Sequence, residues 1–336
     1  MSTKRKILSK IRTESILIGI LHLIGLLSLY NDADQIKRGR PYVYPTTVIL
    51  RCFVVRIWFR IPSNNALHYF LSMDSTFHRK IMQSCGLHTL PDRRTFDRRF
   101  KVLPVQHMIG VVGRQTVRDD IADAKIASSD STLIRARGHI WHHTHIKSNF
   151  VPRPGIDTDA RWGFARTKGW VFGYKLHMCC SAGRMVVPLS ACVTPANVYD
   201  NQSYRSLIEH LPDTVRYVTA DVGYDDHNLY YFTRQRHARL VCPIRRYRRT
   251  KGERLKLIRF NRTRLGRRIL HARGVSIEPL FQCVKDAFGI SVMQVYGFEN
   301  VKSYLLMCVL VYQLAVYYNC VMNHPNPRCV KRMLGN

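Results

Sequence analysis

The spacing of hydrophobic and polar positions changes about one third of the way along the chain. In the first 120 residues, apolar side chains recur three and four positions apart, as in 17–29 and 48–61, which is the period of helices that bury one face. Beyond this point a helical run at 202–211 lies among short β-prone runs, at 126–133, 170–180, 185–194, 215–221 and 239–244. The pattern predicts a helical front part and then a mixed sheet flanked by helices, with the boundary near 115–124.

One apolar stretch, 304–322, is about 19 residues long and therefore long enough to cross a bilayer. It contains Gln313, Asn319 and four tyrosines, and the chain has no second clear stretch of this kind. We therefore expect a buried core helix and no membrane partner. Membrane attachment is the alternative interpretation.

Composition adds a strong electrostatic signal. Lys and Arg number 53 against 22 Asp and Glu, giving a net charge of +31, while a hydrophobic fraction of 46% excludes a disordered or collagen-like chain. Such a surplus on a chain that can fold indicates a polyanionic partner: DNA, RNA or anionic lipid. The ten cysteines form no CxxC pair, which favours buried thiols in a reducing compartment.

Two segments concentrate the positive charge. The stretch 234–273 contains sixteen Lys or Arg residues, among them Arg245 and Arg246, and is interpreted as a phosphate-binding flap, with a solvated loop as the alternative. In LPDRRTFDRRF, at 90–100, a turn signal precedes a short basic helix that is either a DNA contact or a solvated face. Its basic residues are Arg93, Arg94, Arg98 and Arg99.

Three carboxylates stand in unusual surroundings for so cationic a chain. Asp130 lies within a β-prone run, Asp221 ends another run just before a glycine, and Glu278 borders an apolar helical stripe. Isolated carboxylates among apolar strand residues are costly unless they are paired or bound to metal. If the three converge, they can bind a pair of Mg²⁺ or Mn²⁺ ions and support displacement at a phosphodiester. The alternative is that they are ordinary turn and cap residues.

Neighbouring residues extend this candidate site. Lys285 is two turns from Glu278 on the same side of its helix, which Pro279 predicts to begin near residue 276. Lys175 and His177 share one strand face and are interpreted as phosphate or metal-site neighbours, with a solvated edge as the alternative. Asp200 is expected to cap the helix that follows it. Trp170 is expected to pack in the core.

Several segments together resemble the DDE transposases of bacterial and archaeal insertion sequences. They are SSDSTLIRARG around Asp130, TDARWGFARTKGWVFGYKLH at 158–177, VVPLSACVTPANVYDNQ at 186–202, YVTADVGYDD at 217–226, IEPLFQCVKDAFG at 277–289 and VKSYLLMCVLVYQLAVYYN at 301–319. The likeness spans about 125–320, and LPDRRTFDRRF extends it into the front part. As a set these segments are strongly specific, although each alone is weak.

The resemblance implies an α/β fold with an RNase H-like mixed sheet, preceded by a mainly helical N-terminal domain. The family's catalytic acids correspond to Asp130 on the first strand, Asp221 after the fourth strand and Glu278 on a later helix, with magnesium or manganese as cofactor. The implied organisation is a DNA-binding domain at 1–120, a catalytic domain at 121–322 with a basic insertion at about 245–270, and a basic tail at 323–336.

The implied activity is DNA transposition: metal-dependent strand cleavage at the ends of a mobile element, then 3′-hydroxyl strand transfer into target DNA. The implied partners are double-stranded DNA, both the terminal inverted repeats and the target, and a second copy in a homodimeric synaptic complex. The implied location is the cytoplasm, with the nucleoid. A decayed or domesticated transposase that only binds DNA is the alternative.

The helix that carries the glutamate departs from the family signature of Tyr, two residues, Arg, three residues, Glu, six residues and Lys. Lys285 matches, but His271 stands at the Tyr position and Gly274 at the Arg position. Either Arg273, next to that glycine, takes over the missing phosphate contact through a shifted backbone, or the phosphate contacts are redistributed among other residues.

Overall fold

The computed structural model describes residues 3–31, 42–244 and 252–335. Before the first strand, these ranges form helices throughout, as the apolar spacing predicted. They are α1 Thr3–Leu26, α2 Thr46–Trp58, α3 Asn64–Ser72, α4 Thr76–Cys85, α5 Arg93–Val102 and α6 Val105–Arg118. Three side chains start the short helices: Ser63 accepts from Ala66 N, Ser75 from His78 N, and Asp92 from Arg94 N.

A mixed six-stranded sheet follows, so the predicted sheet is confirmed. Its strands are β1 Ile126–Arg135, β2 Arg161–Ala165, β3 Gly169–Ser181, β4 Pro188–Pro195, β5 Tyr217–Thr219 and β6 Arg239–Val241. β3 pairs antiparallel with β1 along one edge and with β2 and then β4 along the other, while β1, β5 and β6 are parallel. The sequence pattern predicted every strand except β2, which is stabilised by its pairing with β3 more than by its own composition.

Helices cover both faces of the sheet. They are α7 His143–Lys147, α8 Asp200–Ile208, α9 His227–Gln235, α10 Glu253–Arg262, α11 Arg264–Phe288, α12 Phe298–Val321 and α13 Val330–Met333. A 3-10 turn at Val222–Tyr224 follows β5. α11 packs against β1, whereas α8 packs against β3 and β4. Side chains near the centre of the sheet can therefore contact a helix on either face.

The apolar stretch near the C-terminus forms α12, which lies in the protein core. It is long and apolar enough to cross a membrane, but 83% of its most apolar window is buried inside the protein. Helices α1, α2 and α6 and strand β4 all contact it. Gln313, fully buried, donates to the backbone oxygens of Ile109 on α6 and Pro188 on β4. The front helices and the sheet thus share one hydrophobic core, and their division into two domains stays a prediction.

Helix α11 corrects one expectation from the sequence. It begins at Arg264, where Thr263 accepts from Gly266 N, and continues through Pro279 for 25 residues. The expected start near Ser276 was wrong because the apolar stripe extends upstream through the buried Ile269. Pro279 costs one hydrogen bond to the carbonyl of Val275. Val275 lies on the exposed face, so water can satisfy that carbonyl.

Candidate active site

Asp130 lies in the middle of β1, opposite Met178 of β3. Its Oδ1 accepts a hydrogen bond from Ser131 N at 2.8 Å, and 16% of its side chain is exposed. Burial raises the pKa of Asp130 to about 6, although the Arg273 guanidinium opposes the shift. The carboxylate is therefore kept out of water at an energetic cost, as a ligand or catalytic group often is.

Asp221 follows β5, the strand that pairs with β1 just before Asp130. Parallel pairing of β1 with β5 ends at Ser128 and Thr219, and the two aspartates follow those residues by the same two positions. Asp221 accepts from Gly223 N at 2.8 Å, which fixes its side chain at the start of the 3-10 turn. Burial raises the pKa of Asp221, and the Asp221 carboxylate in turn helps to raise the pKa of Asp130. The first two predicted acids are thus brought together.

Glu278 joins them through Arg273. One guanidinium nitrogen of Arg273 is 2.5 Å from Asp130 Oδ2, and the other is 3.1 Å from Glu278 Oε1. Both Arg273 and Glu278 lie on α11, which packs against β1. The Glu278 side chain is 56% exposed, so it lies at the rim of the site. One arginine therefore bridges two of the three predicted acids.

The donors fit a hard divalent cation in their chemistry but not in their present arrangement. Carboxylate oxygens are the ligands that Mg²⁺ and Mn²⁺ prefer. Among the residues that the structure describes, however, no three His, Cys, Asp or Glu side chains are gathered closely enough to bind an ion. The positively charged Arg273 guanidinium lies between Asp130 and Glu278 and pairs with both. Its side chain must leave before both acids can ligate the same cation.

The sequence of the chain matches a known protein family. The family model for the transposase DDE domain matches residues 122–314, more than half of the chain. The chain belongs to the DDE transposase family. A solved piggyBac transposase, in a synaptic complex with hairpin DNA, is similar at 12% identity with a TM-score of 0.42, over 96% of this chain and 79% of that one. No curated protein matches the chain.

In this DDE transposase, Gly274 stands where the family signature has an arginine, and the structure shows the surroundings of that position. A side chain at Gly274 would meet nothing within 4 Å, so its Cβ would contact none of the acids. Arg273, one residue earlier, points at Asp130 from a regular helix without any shift of the backbone. His271 is exposed. Arg273 is therefore placed to neutralise the acids, and its predicted contact with DNA requires it to move.

Two cations and one histidine of the predicted DNA-binding set are buried. Lys285 donates to Thr132 Oγ1 between α11 and β1, and burial, with Lys168 nearby, lowers its pKa to about 7. Arg99 donates to the Tyr44 backbone oxygen and to Thr46 Oγ1. His177 is fully buried. These three residues are buried because each lies on a face that packs against another element, and their contacts with DNA stay predictions.

The other predicted contacts differ in exposure. Arg93, Arg94 and Arg98 are exposed on α5, as a DNA contact requires. Arg245 and Arg246 lie outside the described residues. Lys175 is partly buried and pairs with Asp200. Contacts of all these residues with DNA stay predictions.

Asp200 is the site residue that sequence analysis missed. It was expected to cap α8, but Tyr199 is the N-cap residue and makes no side-chain hydrogen bond to the helix. Asp200 instead contacts Lys175 and lies close enough to Asp130 and Asp221 to raise the pKa of both carboxyls. Pairing with a lysine 25 positions away leaves no local signal in the sequence.

A groove of about 780 Å³ begins beside Asp221, at Val222 and Gly223, and includes Lys175 and Asp200. Exposed aromatic side chains line its outer part: Phe164, Trp170 and Tyr199. The expected core position of Trp170 was wrong, since it is 68% exposed at the start of β3. Trp170 contacts Phe164 across the β2–β3 hairpin with ring centroids 5.4 Å apart. The groove therefore combines a cation with open aromatic faces.

Proposed function

We propose that the chain is an insertion-sequence transposase that cleaves the ends of a mobile element and joins the freed 3′-hydroxyl to target DNA. The observation that carries this proposal is that Asp130, Asp221 and Glu278, from three separate elements of a DDE-family chain, all interact with Arg273. The net charge of +31 supports a polyanionic substrate.

An RNase H-like catalytic fold is part of the proposal. Asp130 lies on the first strand and Glu278 on a later helix, as the resemblance implies. Asp221 follows the fifth strand instead of the fourth because the short β2 comes earlier in the chain. Counted without β2, Asp221 would follow the fourth strand, which supports this part of the proposal.

Asp130, Asp221 and Glu278 would bind the divalent cations. Mg²⁺ or Mn²⁺ would supply a nucleophile activated at neutral pH and neutralisation of charge at the phosphodiester. Arg273 must first release Asp130 and Glu278, and its guanidinium is then free to contact a DNA phosphate. Asp221, fixed by Gly223 N, keeps its orientation during this exchange.

The remaining contacts follow from exposure and charge. Lys175 lies in the groove beside Asp221 and is proposed to bind a phosphate there. Arg93, Arg94 and Arg98 on the exposed side of α5 are proposed to contact terminal-repeat DNA. Pairing of two element ends requires at least two copies of the chain, so we propose a homodimer in the synaptic complex, acting in the cytoplasm at the nucleoid.

The experiment is cleavage of labelled element ends, taken from inverted repeats that flank the coding region, with and without Mg²⁺. Asp221→Asn is expected to bind these ends as the wild type does but to cut them below detection. Asp213→Asn is the matched control, because Asp213 is an exposed acid whose partner is Arg236. Full cleavage by Asp221→Asn would remove this residue from the site.

A DNA-binding protein without catalysis is the second candidate, and the ion pairs of Arg273 with two of the acids favour it. It predicts duplex binding that weakens steeply with salt, and no cleavage by the wild type in either Mg²⁺ or Mn²⁺. The same experiment separates the two candidates.

A further inference from the structure

The Lys175–Asp200 pair approaches the acids from the side of the sheet opposite α11. In the pairing of β1 with β3, Lys175 stands opposite Leu133 and therefore shares its face, whereas Asp130 points to the other face. Lys175 Nζ is 2.9 Å from Asp200 Oδ1 and 2.8 Å from the Val198 backbone oxygen. Their side chains are 13% and 23% exposed, so the pair is largely shielded from water.

A buried hydrogen-bond network holds the backbone of Asp200 in place. The Ser203 hydroxyl donates to the Asp200 backbone oxygen at 2.9 Å, so it accepts from His177 Nδ1, which is also 2.9 Å away. His177 Nε2 is then the acceptor for the Thr194 hydroxyl at 2.8 Å. Burial lowers the pKa of His177 to about 4, and the ring is therefore neutral near pH 7, as this pattern requires. β3, β4 and the first turn of α8 are tied together at this point.

The position of the Lys175–Asp200 pair connects it to the proposed cleavage reaction. Both residues line the groove that also contains Val222 and Gly223, next to Asp221. Asp200 acts electrostatically on both Asp130 and Asp221. An ion pair whose only role was to hold α8 on the sheet would not need to open onto the groove.

We propose that Asp200 is a positioning residue, whose carboxylate holds the Lys175 ammonium at the groove beside Asp221, where the ammonium binds a phosphate of the DNA strand being cut. Without Asp200, the flexible lysine stem samples many rotamers and the ammonium leaves this position. A partly shielded ammonium that is already oriented binds a phosphate at a smaller entropic cost. This inference rests on the proposed function.

The experiment is a double-mutant cycle on single-turnover cleavage of element ends at saturating Mg²⁺ and DNA. Its four proteins are the wild type, Asp200→Asn, Lys175→Ala and the double variant. Asp200→Asn is expected to lower the rate about 10-fold, as loss of a positioned charge contact does. In the Lys175→Ala background the same change is expected to cost less than about twofold, because Asp200 acts through Lys175.

Three controls make the result specific. Glu209→Gln removes an acid at the other end of α8, away from Lys175, and is expected to cleave as the wild type does. Thermal unfolding of every variant checks folding. The Mg²⁺ concentration for half-maximal rate is expected to be the same for Asp200→Asn and the wild type, since Asp200 is not proposed to ligate the cation.

Three outcomes would overturn the inference alone: an unchanged rate for Asp200→Asn, equal losses in both backgrounds, or a shift in the Mg²⁺ requirement that shows Asp200 acting on the cation directly. If the wild type cuts no element ends, the proposed function fails, and the inference falls with it.

Discussion

At the scale of single residues, the candidate site has more negative side chains than positive ones. Asp130, Asp221, Asp200 and Glu278 carry four negative charges, and Arg273 and Lys175 return two positive ones. Asp200 raises the pKa of both Asp130 and Asp221, and carboxylates that interact in this way repel one another unless positive charge is added. The deficit explains why Arg273 bridges two acids and why divalent cations would bind here.

Because Arg273 competes for Asp130 and Glu278, Arg273→Ala is expected to strengthen cation binding. We expect an apparent Mn²⁺ affinity about 3- to 10-fold higher than that of the wild type, measured by titration calorimetry without DNA; this corresponds to about 1 kcal/mol for the displaced ion pairs. Arg267→Ala, an exposed change on the same helix, is the control and should leave the affinity unaltered. Weaker binding by Arg273→Ala would show that the arginine supports the cation site and does not compete for it.

At the scale of helices and strands, local patterns predicted most of the fold. The predicted starts of α5 and β1 depend on turn chemistry and on β-branched and apolar alternation, which act within a few residues, and both elements formed where expected. β2 was missed because its pairing with β3, not its own composition, stabilises it. The ion pairs of Asp200 and Arg273 were also missed, since each joins residues distant in the sequence.

Helix α11 shows how tertiary packing overrides a local rule. Pro279 lies inside it, where a proline costs about 3 kcal/mol relative to alanine in an isolated helix. The buried residues on both sides, among them Ile269 and Leu280, keep the helix continuous. Packing against β1 therefore outweighs the missing hydrogen bond.

Pro279→Ala is accordingly expected to raise the free energy of unfolding by about 1–2 kcal/mol. The substitution restores the hydrogen bond to the Val275 carbonyl, and this gain exceeds the loss that comes from the greater conformational entropy of the unfolded chain. Urea denaturation measures the change. Pro325→Ala, in the loop after α12, is the control without a helix bond to gain, and it is expected to be neutral or slightly destabilising. A loss of stability in Pro279→Ala would mean that the proline fits a local distortion that α11 requires.

At the scale of the whole molecule, the front helices and the sheet behave as one packed body. Arg56 of α2 illustrates this: it is fully buried, donates to Asn64 Oδ1 and to the backbone oxygens of Ile61 and Pro62, and lies 5.6 Å from the ring centre of Tyr304 on α12. Burial lowers the pKa of Arg56. A cation is thus shielded at the junction between the front helices and the helix that underlies the sheet.

We expect Arg56→Met to lower the free energy of unfolding by about 2 kcal/mol, because three acceptors lose their donor, while the sheet keeps its structure. Arg56→Lys retains the charge but not the three donors and should recover only part of the loss. Arg118→Met, at the exposed end of α6, is the control. If the front helices melted separately from the sheet in the wild type, the shared core would not be a single cooperative unit.

The most direct test of the account is a metal switch at Asp221. Magnesium binds oxygen ligands and hardly binds thiolate, whereas manganese, a first-row transition metal, accepts sulphur more readily. Cleavage of element ends by Asp221→Cys is predicted to be lost in Mg²⁺ and recovered in Mn²⁺, while the wild type cuts in both. Equal activity of Asp221→Cys in the two metals, or wild-type cleavage with both metals removed, would contradict a site in which Asp221 ligates the catalytic cation.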